Sequence, residues 1–370
     1  MTDRFIRVAL AGIGSCASSF VQATVLSRDS GPRMAGVMHE HIGGYRLGDV
    51  EFVAAFDVDG NKVGQDLADA IAVAPTAALN HVPVPLTGVR VRSGPLLDGL
   101  DGNLSEMVRP HPDCASLTAA DVTAALRQSR AQVLVCFLPT GSTAAVQAYA
   151  RASAEAGVAF VNATPEPVAN RAELVELFVS RGVPLLGDDL RSHLGATTLH
   201  TALLELLQSR GMHVANTYQL NVGGNMDFYN LADPTRSRSK QISKRRALAS
   251  AGIDSDDVAA GPNGYVKYLG DRKVCFLRIE AEAILGTPLS MEIRLEVEDS
   301  PNAASVVANA VRIARTAADQ GLVGVVDPVC PFLFKSPPVG LPESEALRRF
   351  QHFVEKSARP ATAYTGAARS

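Results

Sequence analysis

The chain has 370 residues and a formal net charge of −3, with 46% hydrophobic and 20% charged residues, a composition typical of a globular protein of one or two domains. The near-neutral balance excludes the strongly basic character that nucleic acids and anionic membranes select, so neither is an expected partner. The basic residues comprise 28 Arg and only 7 Lys, and four of the lysines fall between 240 and 273. In a chain this rich in arginine, a lysine suggests a chemical requirement.

The N-terminal residues and the cysteines predict a cytoplasmic protein. Charged side chains flank Phe5 directly before an apolar stretch, which is not the pattern of a signal peptide. No apolar run reaches the roughly 18 residues that a membrane helix needs. Five cysteines without CxxC spacing favour reduced thiols over disulfides or a zinc site. The histidines also lack metal-ligand spacing, so we predict no metal site.

The first half of the chain alternates apolar strands with helices. Residues 6–10 predict a strand that passes through a glycine turn into a helix from Ser18. Further strands are predicted at 51–56, 132–138, 158–162 and 183–187, with helices at 143–155 and 171–181. Segments 28–48 and 75–117 are rich in Gly and Pro and predict irregular structure. Together they predict an α/β fold, a Rossmann-like doubly wound parallel sheet over residues 1–194.

The pattern changes after a helix predicted at 194–210. Apolar and charged residues alternate from Met291 to Glu298, as in a strand with one solvated face, and 274–284 is expected to pair with it. We therefore predict a second, α+β domain with an open mixed sheet over 195–300. A helix at 303–320 would return the remaining segment, 301–370, to the first domain. The tail after Lys356 is expected to be mobile.

The glycine turn after the first strand is a candidate dinucleotide site. Gly12 and Gly14 would let the backbone approach a pyrophosphate at a helix N-terminus, and Asp57 at the end of the second strand would meet an adenosine ribose. Asp57 lies 43 residues after Gly14 rather than the usual ~20, which requires an insertion at 28–48. A glycine turn that binds nothing is the alternative.

Acidic residues and lysines mark a second candidate site. Asp188 and Asp189 follow a buried strand at the carboxyl edge of the sheet, where such sheets bind ligands. Alternatively, the pair only turns the chain and caps the helix that follows Ser192. Lys240 and Lys244 would share one helical face, where like charges repel unless they face a phosphate or a developing oxyanion. A basic solvated helix is the competing interpretation.

Other polar positions are assigned by their neighbours. Lys273 and Lys335 each stand beside a strand or a rigid turn, whereas Lys62 and Lys356 have the context of solvated surface. In the loop after the strand near Asn221, the consecutive glycines Gly223 and Gly224 would allow close approach of a ligand.

These segments together resemble the myo-inositol-phosphate synthase family, especially its short actinobacterial members, over almost the whole chain. The resemblance is carried by residues 12–19, 54–59, 187–189, 221–227, 240–244, 271–273, 299–302 and 334–338. It implies NAD and a hexose 6-phosphate substrate. Glucose 6-phosphate would be oxidised at carbon 5, enolised, closed by an aldol step onto carbon 1 and re-reduced to 1D-myo-inositol 3-phosphate, without net redox change. It also implies a homotetramer.

The resemblance further implies residue roles. Lys240 and Lys273 would act at carbon 5, and Lys244 and Lys335 on the phosphate or the carbon 1 oxygen. Asp189 and Asp299 would orient these lysines, and Ser192 would meet the phosphate at a helix N-terminus. The cofactor-binding set would comprise Gly12, Gly14, Ser15, Cys16, Ala17, Asp57, Asp66, Tyr149, Asp188, Ser192, Asp227 and Lys240.

Four departures from the family pattern leave the substrate open. Ser15, Thr164 and Arg191 stand where close relatives have Asn, Leu and Lys, and residues 25–28 stand where the family usually has a tyrosine-rich stretch. A paralogue that closes a five-membered ring from fructose 6-phosphate would need the same lysines and a reshaped pocket. An NAD-dependent sugar-phosphate dehydrogenase with net hydride transfer is a second alternative. A non-catalytic nucleotide or sugar-phosphate sensor is a third, against which the four lysines argue.

Overall fold

The computed structural model describes residues 5–29, 34–238, 240, 242 and 260–358. The strands are β1 (Ile6–Ala11), β2 (Val50–Asp57), β3 (Val91–Ser93), β4 (Val133–Cys136), β5 (Ala159–Asn162), β6 (Pro184–Leu186), β7 (His213–Gly223), β8 (Ala260–Tyr265), β9 (Arg272–Glu282), β10 (Pro288–Glu298) and β11 (Gly324–Val325).

The helices fill the connections between these strands. They are α1 (Ser15–Asp29), α2 (Leu67–Ala70), α3 (Leu104–Met107), α4 (Ala119–Gln128), α5 (Thr143–Ala156), α6 (Ala172–Arg181), α7 (Ala196–Ser209), α8 (Met226–Leu231), α9 (Asp299–Asp319), α10 (Cys330–Leu333) and α11 (Glu343–Ser357). Residues 234–238, 240 and 242 are also helical. No helix of the described segments is long and apolar enough to cross a membrane.

The first sheet has seven strands in the order β11-β6-β5-β4-β1-β2-β3, and all of its pairs are parallel. The chain proceeds outward from β1 in one direction and from β4 in the other, so a crevice opens where the order reverses. The predicted Rossmann-like doubly wound sheet is confirmed. Its ligand crevice should lie at the carboxyl ends of β1 and β4.

Side chains of the central strands alternate between two apolar layers. Val8 and Leu10 of β1 belong to the layer that contains α1, α9 and α11, whereas Ala9 and Ala11 face α4, α5 and α6. Because both faces are covered by helices, the strands are apolar along their whole length rather than alternately polar. The burial of both layers fixes the strand ends that carry the site.

The second sheet is mixed, with strand order β10-β9-β7-β8. β9 and β10 form the predicted antiparallel hairpin, and β7 pairs antiparallel with β9 but parallel with β8. α7 covers one face of this sheet. The predicted open mixed sheet is therefore confirmed, although β8 was not predicted from the sequence. After β10 the chain returns through α9, which packs on α1.

Two segments predicted to be irregular contribute to the core. Segment 75–117 supplies β3, the outermost strand, which pairs with β2. This strand was not predicted because three residues are too few to create a periodic pattern. In the described part of the 28–48 insertion, Ile42 and Tyr45 are buried, and Arg312 of α9 donates hydrogen bonds to the carbonyls of His39 and Glu40. Most of the predicted mobile tail, residues 359–370, lies outside the described residues.

Candidate functional site

The glycine turn is held in place by contacts to β2 and β4. Gly12 has φ +87°, and a Cβ there would lie 2.9 Å from the carbonyl oxygen of Phe137, so only glycine fits. A Cβ on Gly14 would meet nothing within 4 Å. Gly12 is therefore required by the close approach of β4, whereas Gly14 faces open space in a cavity.

We call this space the glycine-loop cavity; it occupies about 820 Å³, part of it open to solvent. It lies at the carboxyl ends of β1, β2 and β4, as the strand order requires. Its lining includes Gly12, Ile13, Gly14, Ser15, Phe56, Asp57, Asp59, Lys62, Leu100, Leu138, Pro139, Tyr149 and Met226. A largely apolar cleft with a few convergent polar groups is typical of a cofactor site.

Two acidic residues of this cavity have different hydrogen bonds. Asp57 Oδ2 accepts from the Ile13 amide at 2.6 Å, and its Oδ1 accepts from the amides of Val58 and Asp59. Asp59 is buried, and its Oδ2 has no hydrogen-bond partner. A buried carboxylate oxygen without a partner is costly unless a ligand hydroxyl reaches it. The residues therefore fit a dinucleotide, with Asp57 pinning the glycine turn and Asp59 open to a ribose.

Lys62 is buried, contrary to the prediction that it is solvated surface. It is 6% exposed, and its Nζ donates to the carbonyl oxygen of Ile13 at 2.7 Å. The prediction was wrong because residues 60–61 have the sequence of a surface turn. In the structure, this turn directs the side chain of Lys62 back to Ile13 in the glycine turn. The scarcity of lysine in this chain is the signal that could have identified it.

A second space, which we call the lysine cavity, continues from the first beyond Gly14 and Leu138. It occupies about 1050 Å³, again partly open to solvent. Its polar lining comprises Ser15, Cys16, Thr140, Thr164, Asp189, Ser192, Asn225, Asp227, Lys240, Lys273, Asp299, Ser300 and Lys335. It thus brings together three of the four predicted lysines and both aspartates predicted to orient them. Lys244 lies outside the described residues.

Each of the three lysines contacts an acidic side chain. Lys335 Nζ lies 3.1 Å from Asp189 Oδ1. Lys240 Nζ lies 3.5 Å from the same oxygen and 3.6 Å from Asp227 Oδ2. Lys273 Nζ donates to Asp299 Oδ1 at 3.0 Å. Asp189 is therefore shared by two ammonium groups.

Two of these ammonium groups, on Lys335 and Lys240, differ in protonation because their surroundings differ. Burial, reinforced by the neighbouring cations of Lys240 and Lys273, lowers the pKa of Lys335 to about 8, although Asp189 opposes the shift. Burial would also lower the pKa of Lys240, but the carboxylates around it, foremost Asp189, outweigh burial and raise it. Lys335 thus exchanges a proton near neutral pH, whereas Lys240 remains a fixed cation.

A buried hydrogen-bond network supports the Lys273–Asp299 pair. Asn225 Nδ2 donates to Asp299 Oδ2 at 3.2 Å and lies 3.4 Å from Asp271 Oδ1. Asp271 also accepts from the amide and the hydroxyl of Ser300. Burial raises the pKa of Asp271 to about 6 despite these hydrogen bonds. Asn225 and Asp271 were not predicted as site residues, because only their position behind Asp299 reveals the role.

A narrow polar branch leads from the lysine cavity to the N-terminus of α7. It is lined by Ser192, Gly195, Ala196, Thr197, Thr198, Gln219, Asn221, Asp227, Lys240, Lys273 and Lys335, among others. The free amides of a helix N-terminus together with ammonium groups form an anion site. Gly195 caps α7 without a side-chain hydrogen bond, so neither Asp188 nor Asp189 caps this helix.

Three predicted cofactor residues do not line either cavity. Ala17 lies in α1 and is buried in the apolar layer that contains α1, α9 and α11. Asp66 caps α2 and accepts hydrogen bonds from Thr87 and Gly88, which lower its pKa against the opposing effect of burial. Asp188 is buried and accepts from Asn162 and from amides of the loop at 168–170. The predicted pair at 188–189 thus divides: Asp188 turns the chain, and Asp189 faces the lysines.

The two consecutive glycines make room for protein atoms rather than a ligand. A Cβ on Gly223 would lie 2.4 Å from the ring of Phe228, and one on Gly224 would lie 2.5 Å from the amide of Gly270. Neither glycine is among the described residues that line the glycine-loop cavity or the lysine cavity. Cys16 does line the lysine cavity, but burial, together with nearby carboxylates such as Asp299, raises its thiol pKa to about 12, which excludes it as a nucleophile at neutral pH.

Two of the four departures from the family pattern face the lysine cavity. Ser15 and Thr164 line it, and Thr164 Oγ1 donates to Asn162 Oδ1. Arg191 instead points away, forming an ion pair with Glu343 and a hydrogen bond to Thr201. The substrate side of the cavity therefore differs at two positions from the pattern of the nearest relatives.

Comparison with known proteins gives one consistent family. A sequence model described as myo-inositol-1-phosphate synthase matches residues 195–300. The inositol-3-phosphate synthase of Corynebacterium glutamicum is 42% identical over 96% of this chain and 99% of its own. Among solved structures, Ari2 is 39% identical, covers 95% of this chain and 99% of its own, and has a TM-score of 0.78. A Thermotoga maritima protein described as myo-inositol-1-phosphate synthase-related is 25% identical, with coverages of 95% and 98% and a TM-score of 0.81.

Proposed function

Because the chain belongs to the myo-inositol-1-phosphate synthase family, we propose that it converts D-glucose 6-phosphate to 1D-myo-inositol 3-phosphate with NAD as a catalytic cofactor. The family makes the chain an isomerising cyclase. The observation that carries the proposal is the convergence of Lys240, Lys273 and Lys335, each paired with a carboxylate, in a cavity that continues into the glycine-loop cavity.

The glycine-loop cavity would hold the dinucleotide. Gly14 leaves space for a pyrophosphate at the start of α1, and Asp57 fixes the turn that presents the amides. Asp59 offers its unpartnered oxygen to a ribose hydroxyl. When bound, NAD supplies hydride acceptance and return at carbon 5 of the sugar. Because the hydride taken from the sugar is later returned to it, the reaction needs no second redox partner.

Lys240, Lys273 and Lys335 would perform the acid–base and oxyanion steps. On oxidation the proton of the carbon 5 hydroxyl would pass to Lys273 as Lys273 gives its own proton to Asp299, and on enolisation the carbon 6 proton would pass to the phosphate dianion of the substrate. Both protons would be returned within the cycle, the first to the re-formed carbon 5 hydroxyl and the second to Lys335 after Lys335 has protonated the carbon 1 oxygen. The fixed cation of Lys240 and the ammonium of Lys273 would stabilise the oxyanion that enolisation leaves at carbon 5. Lys335, whose pKa is near 8, donates a proton to the carbon 1 oxygen as the aldol bond forms. Asp189 and Asp299 fix these lysines in place.

The substrate phosphate would sit in the narrow branch at α7. The amides at the start of this helix and the hydroxyls of Ser192 and Thr198 border the branch. Three ammonium groups border it too, so a dianion entering here neutralises charge that is otherwise concentrated. Recognition of a hexose by its 6-phosphate follows from this arrangement.

Product analysis with two substrates tests the proposal. The protein is incubated with glucose 6-phosphate and fructose 6-phosphate in parallel, and the products are separated by chromatography and identified by NMR. We expect a six-membered cyclitol phosphate from glucose 6-phosphate. Because Ser15 and Thr164, two of the departures from the family pattern, line the lysine cavity, the test includes the substrate of the five-membered-ring alternative. Faster turnover of fructose 6-phosphate would overturn the substrate assignment.

The absorbance at 340 nm separates the cyclase from a dehydrogenase. A cyclase turns over with catalytic NAD and a flat trace. NADH that accumulates in proportion to product would contradict the cyclase and favour simple sugar-phosphate oxidation. Absence of any product from either sugar, in protein that binds NAD, would favour a sensor.

The second sheet would also form a homotetramer. β10 is the outermost strand of the sheet as described, and its 11 residues leave backbone groups free for pairing. The adjoining turn exposes Ile284 and Leu285 at 85% and 93%, an apolar patch typical of an interface. We propose domains at 1–194, 195–300 and 301–370 with the interface in the second. The five cysteines have no CxxC spacing, which favours the cytoplasm as the compartment that we propose.

A further inference from the structure

Arg236 is a buried arginine one helical turn before Lys240. It is 3% exposed, whereas Arg238, two residues on, is exposed. Its Nε donates to Asn230 Oδ1 at 3.2 Å, and its Nη1 donates to the carbonyl oxygens of Asp98 and Gly141, each at 2.9 Å. Its Nη2 donates to Ser142 Oγ at 3.0 Å. Burying a guanidinium is costly, and these four hydrogen bonds offset that cost.

Glycines at two separate loops form the slot for this side chain. A Cβ on Gly141 would lie 2.8 Å from Arg236 Nε, and one on Gly102 would lie 3.3 Å from its Cγ. Both glycines have positive φ. Burial lowers the pKa of Arg236, and the carboxylates of Asp98, Asp101, Glu166 and Asp233 oppose this shift by favouring the charged guanidinium. The slot therefore accommodates one arginine side chain in one orientation. An arginine on a solvated basic helix would need no such slot.

The slot lies between the two cavities. Its wall is the turn 139–142 after β4; Pro139 lines both cavities and Thr140 lines the lysine cavity. Thr140 Oγ1 donates to Asp227 Oδ1 at 3.1 Å, and Asn230 Nδ2 donates to the Thr140 carbonyl at 2.8 Å. Asp227 in turn lies 3.6 Å from Lys240. Arg236 thus joins the segment that carries Lys240 to a turn shared by both cavities.

We propose that Arg236 is a positioning residue, which holds Lys240 in the lysine cavity by anchoring the helical residues 234–238 to the turn 139–142. The activity readout of this inference rests on the proposed function, but its structural readout does not. A lysine in the slot offers one point charge and cannot reproduce the planar set of donors. Lys240 would then lose its fixed placement opposite Asp189.

The protonation of Lys335 reports the position of Lys240. Among the described residues, Asp189 contacts Lys335, the cations of Lys240 and Lys273 act on its pKa, and Arg191, Glu205 and Glu343 line a neighbouring space that Lys335 also borders. Withdrawal of Lys240 removes from Lys335 both a repelling cation and a competitor for Asp189, so both changes raise the pKa of Lys335. A substitution that merely destabilises the fold does not shift this titration in the folded fraction.

The experiment measures the pH dependence of lysine acetylation in the full-length protein. Limiting acetic anhydride is applied from pH 6 to 10, and mass spectrometry quantifies modification at Lys335. Wild type, Arg236→Lys and the milder Ser142→Ala, which removes one acceptor, are compared, and Arg238→Lys is the matched control. Turnover of glucose 6-phosphate is measured on the same samples, with kcat and KM separated.

The half-point of Lys335 labelling is expected to rise by about half a pH unit or more in Arg236→Lys, and by less in Ser142→Ala. Arg238→Lys should match the wild type. In Arg236→Lys we expect kcat to fall at least tenfold with KM changed less than threefold. An unchanged half-point in both slot variants, or an equal shift in Arg238→Lys, overturns the inference. A shift without hexose-phosphate turnover in the wild type would support the inference and overturn the proposed function.

Discussion

The glycine-loop cavity and the lysine cavity adjoin each other but are built in different ways. The first is bounded by main-chain atoms and apolar side chains, and its few polar groups are mostly paired with the backbone, as Asp57 is with Ile13. The second is bounded by charged side chains paired with one another, with two lysines on Asp189. The first cavity depends on shape, whereas the second depends on a balance of charges.

The difference has consequences for how each cavity responds to change. A backbone-built cavity loses affinity when its geometry shifts, but the protonation of its groups stays the same. In a charge-built cavity, the removal of one group changes the charge and the pKa of its neighbours. Substitutions in the first should therefore alter binding, and substitutions in the second should alter rate and pH dependence.

The largest effect is expected at Lys273. In Lys273→Met the oxyanion at carbon 5 loses its ammonium partner, so kcat should fall by about 10² to 10³. Lys273→Arg retains the charge but replaces the compact ammonium by a planar guanidinium with a different donor geometry, and kcat should fall at least about tenfold. Bound NAD, measured by chromatography after denaturation, should be unchanged because Lys273 does not line the glycine-loop cavity. Full activity of the Arg variant would contradict the assigned chemistry.

Lys267→Met is the control for this experiment. Lys267 is exposed and lies six residues before Lys273. The same change of residue there should leave both kcat and bound NAD at wild-type levels.

The next effect is expected at Asp57. In Asp57→Asn an amide group faces the Ile13 amide, so the glycine turn loses a charged acceptor worth about 1.5–3 kcal/mol. The Kd for NAD, measured by titration calorimetry, should rise by about 10- to 100-fold. The pH profile of kcat should stay where it is. A shifted pH profile of kcat with an unchanged Kd for NAD would contradict the comparison, because Asp57 would then act through charge rather than through the geometry of the glycine turn.

A smaller, graded effect is expected from pH. Lys335 acts as a proton donor, so its protonated form is the active one, and kcat/KM should fall as pH rises through about 8. Because kcat/KM reports the free enzyme, substrate binding does not move this limb. In Lys335→Arg the limb at pH 8 should disappear, since the guanidinium stays charged. A limb that persists in that variant would assign it to another group.

The smallest effect on rate is expected at the sheet edge. Ile293 of β10 is half-buried and packs toward the second-sheet core, and β10 lines neither cavity. Ile293→Glu should lower the molar mass found by light scattering, while the initial kcat per chain changes less than threefold. Ser290→Glu, on the exposed face of the same strand, is the matched control. A wild-type monomer would refute the tetramer.

Much of the fold was predictable because its strands are apolar and its helices alternate with them. β1, β2, β4, β5 and β6 fall within about three residues of their predicted ends. β3 and β8 were not predicted, since three- and six-residue strands in Gly- and Pro-rich sequence carry no periodic signal. Helix α9 begins at Asp299, four residues before its predicted start, because Pro301 is tolerated in the first turn of a helix.

The site was predictable where a residue type is rare and unpredictable where its role depends on packing. The lysines stood out against an arginine-rich background, and Lys240, Lys273 and Lys335 meet in one cavity. Lys62 and Asp59 were missed because only the bend after β2 turns them inward. The role of Arg236 was not predictable from the sequence, since its glycine-lined slot comes from distant loops.

The path of the chain between the two sheets has a consequence for biosynthesis. The second sheet and α7 are inserted before α9, which covers one face of the first sheet, and β11 then completes that sheet at its edge. During synthesis, the apolar surface of α1 and β1 therefore stays uncovered while more than a hundred further residues are added, because α9, which covers it, has not yet been made. The first domain cannot close co-translationally from its own N-terminal part, so the order of synthesis and the order of folding differ.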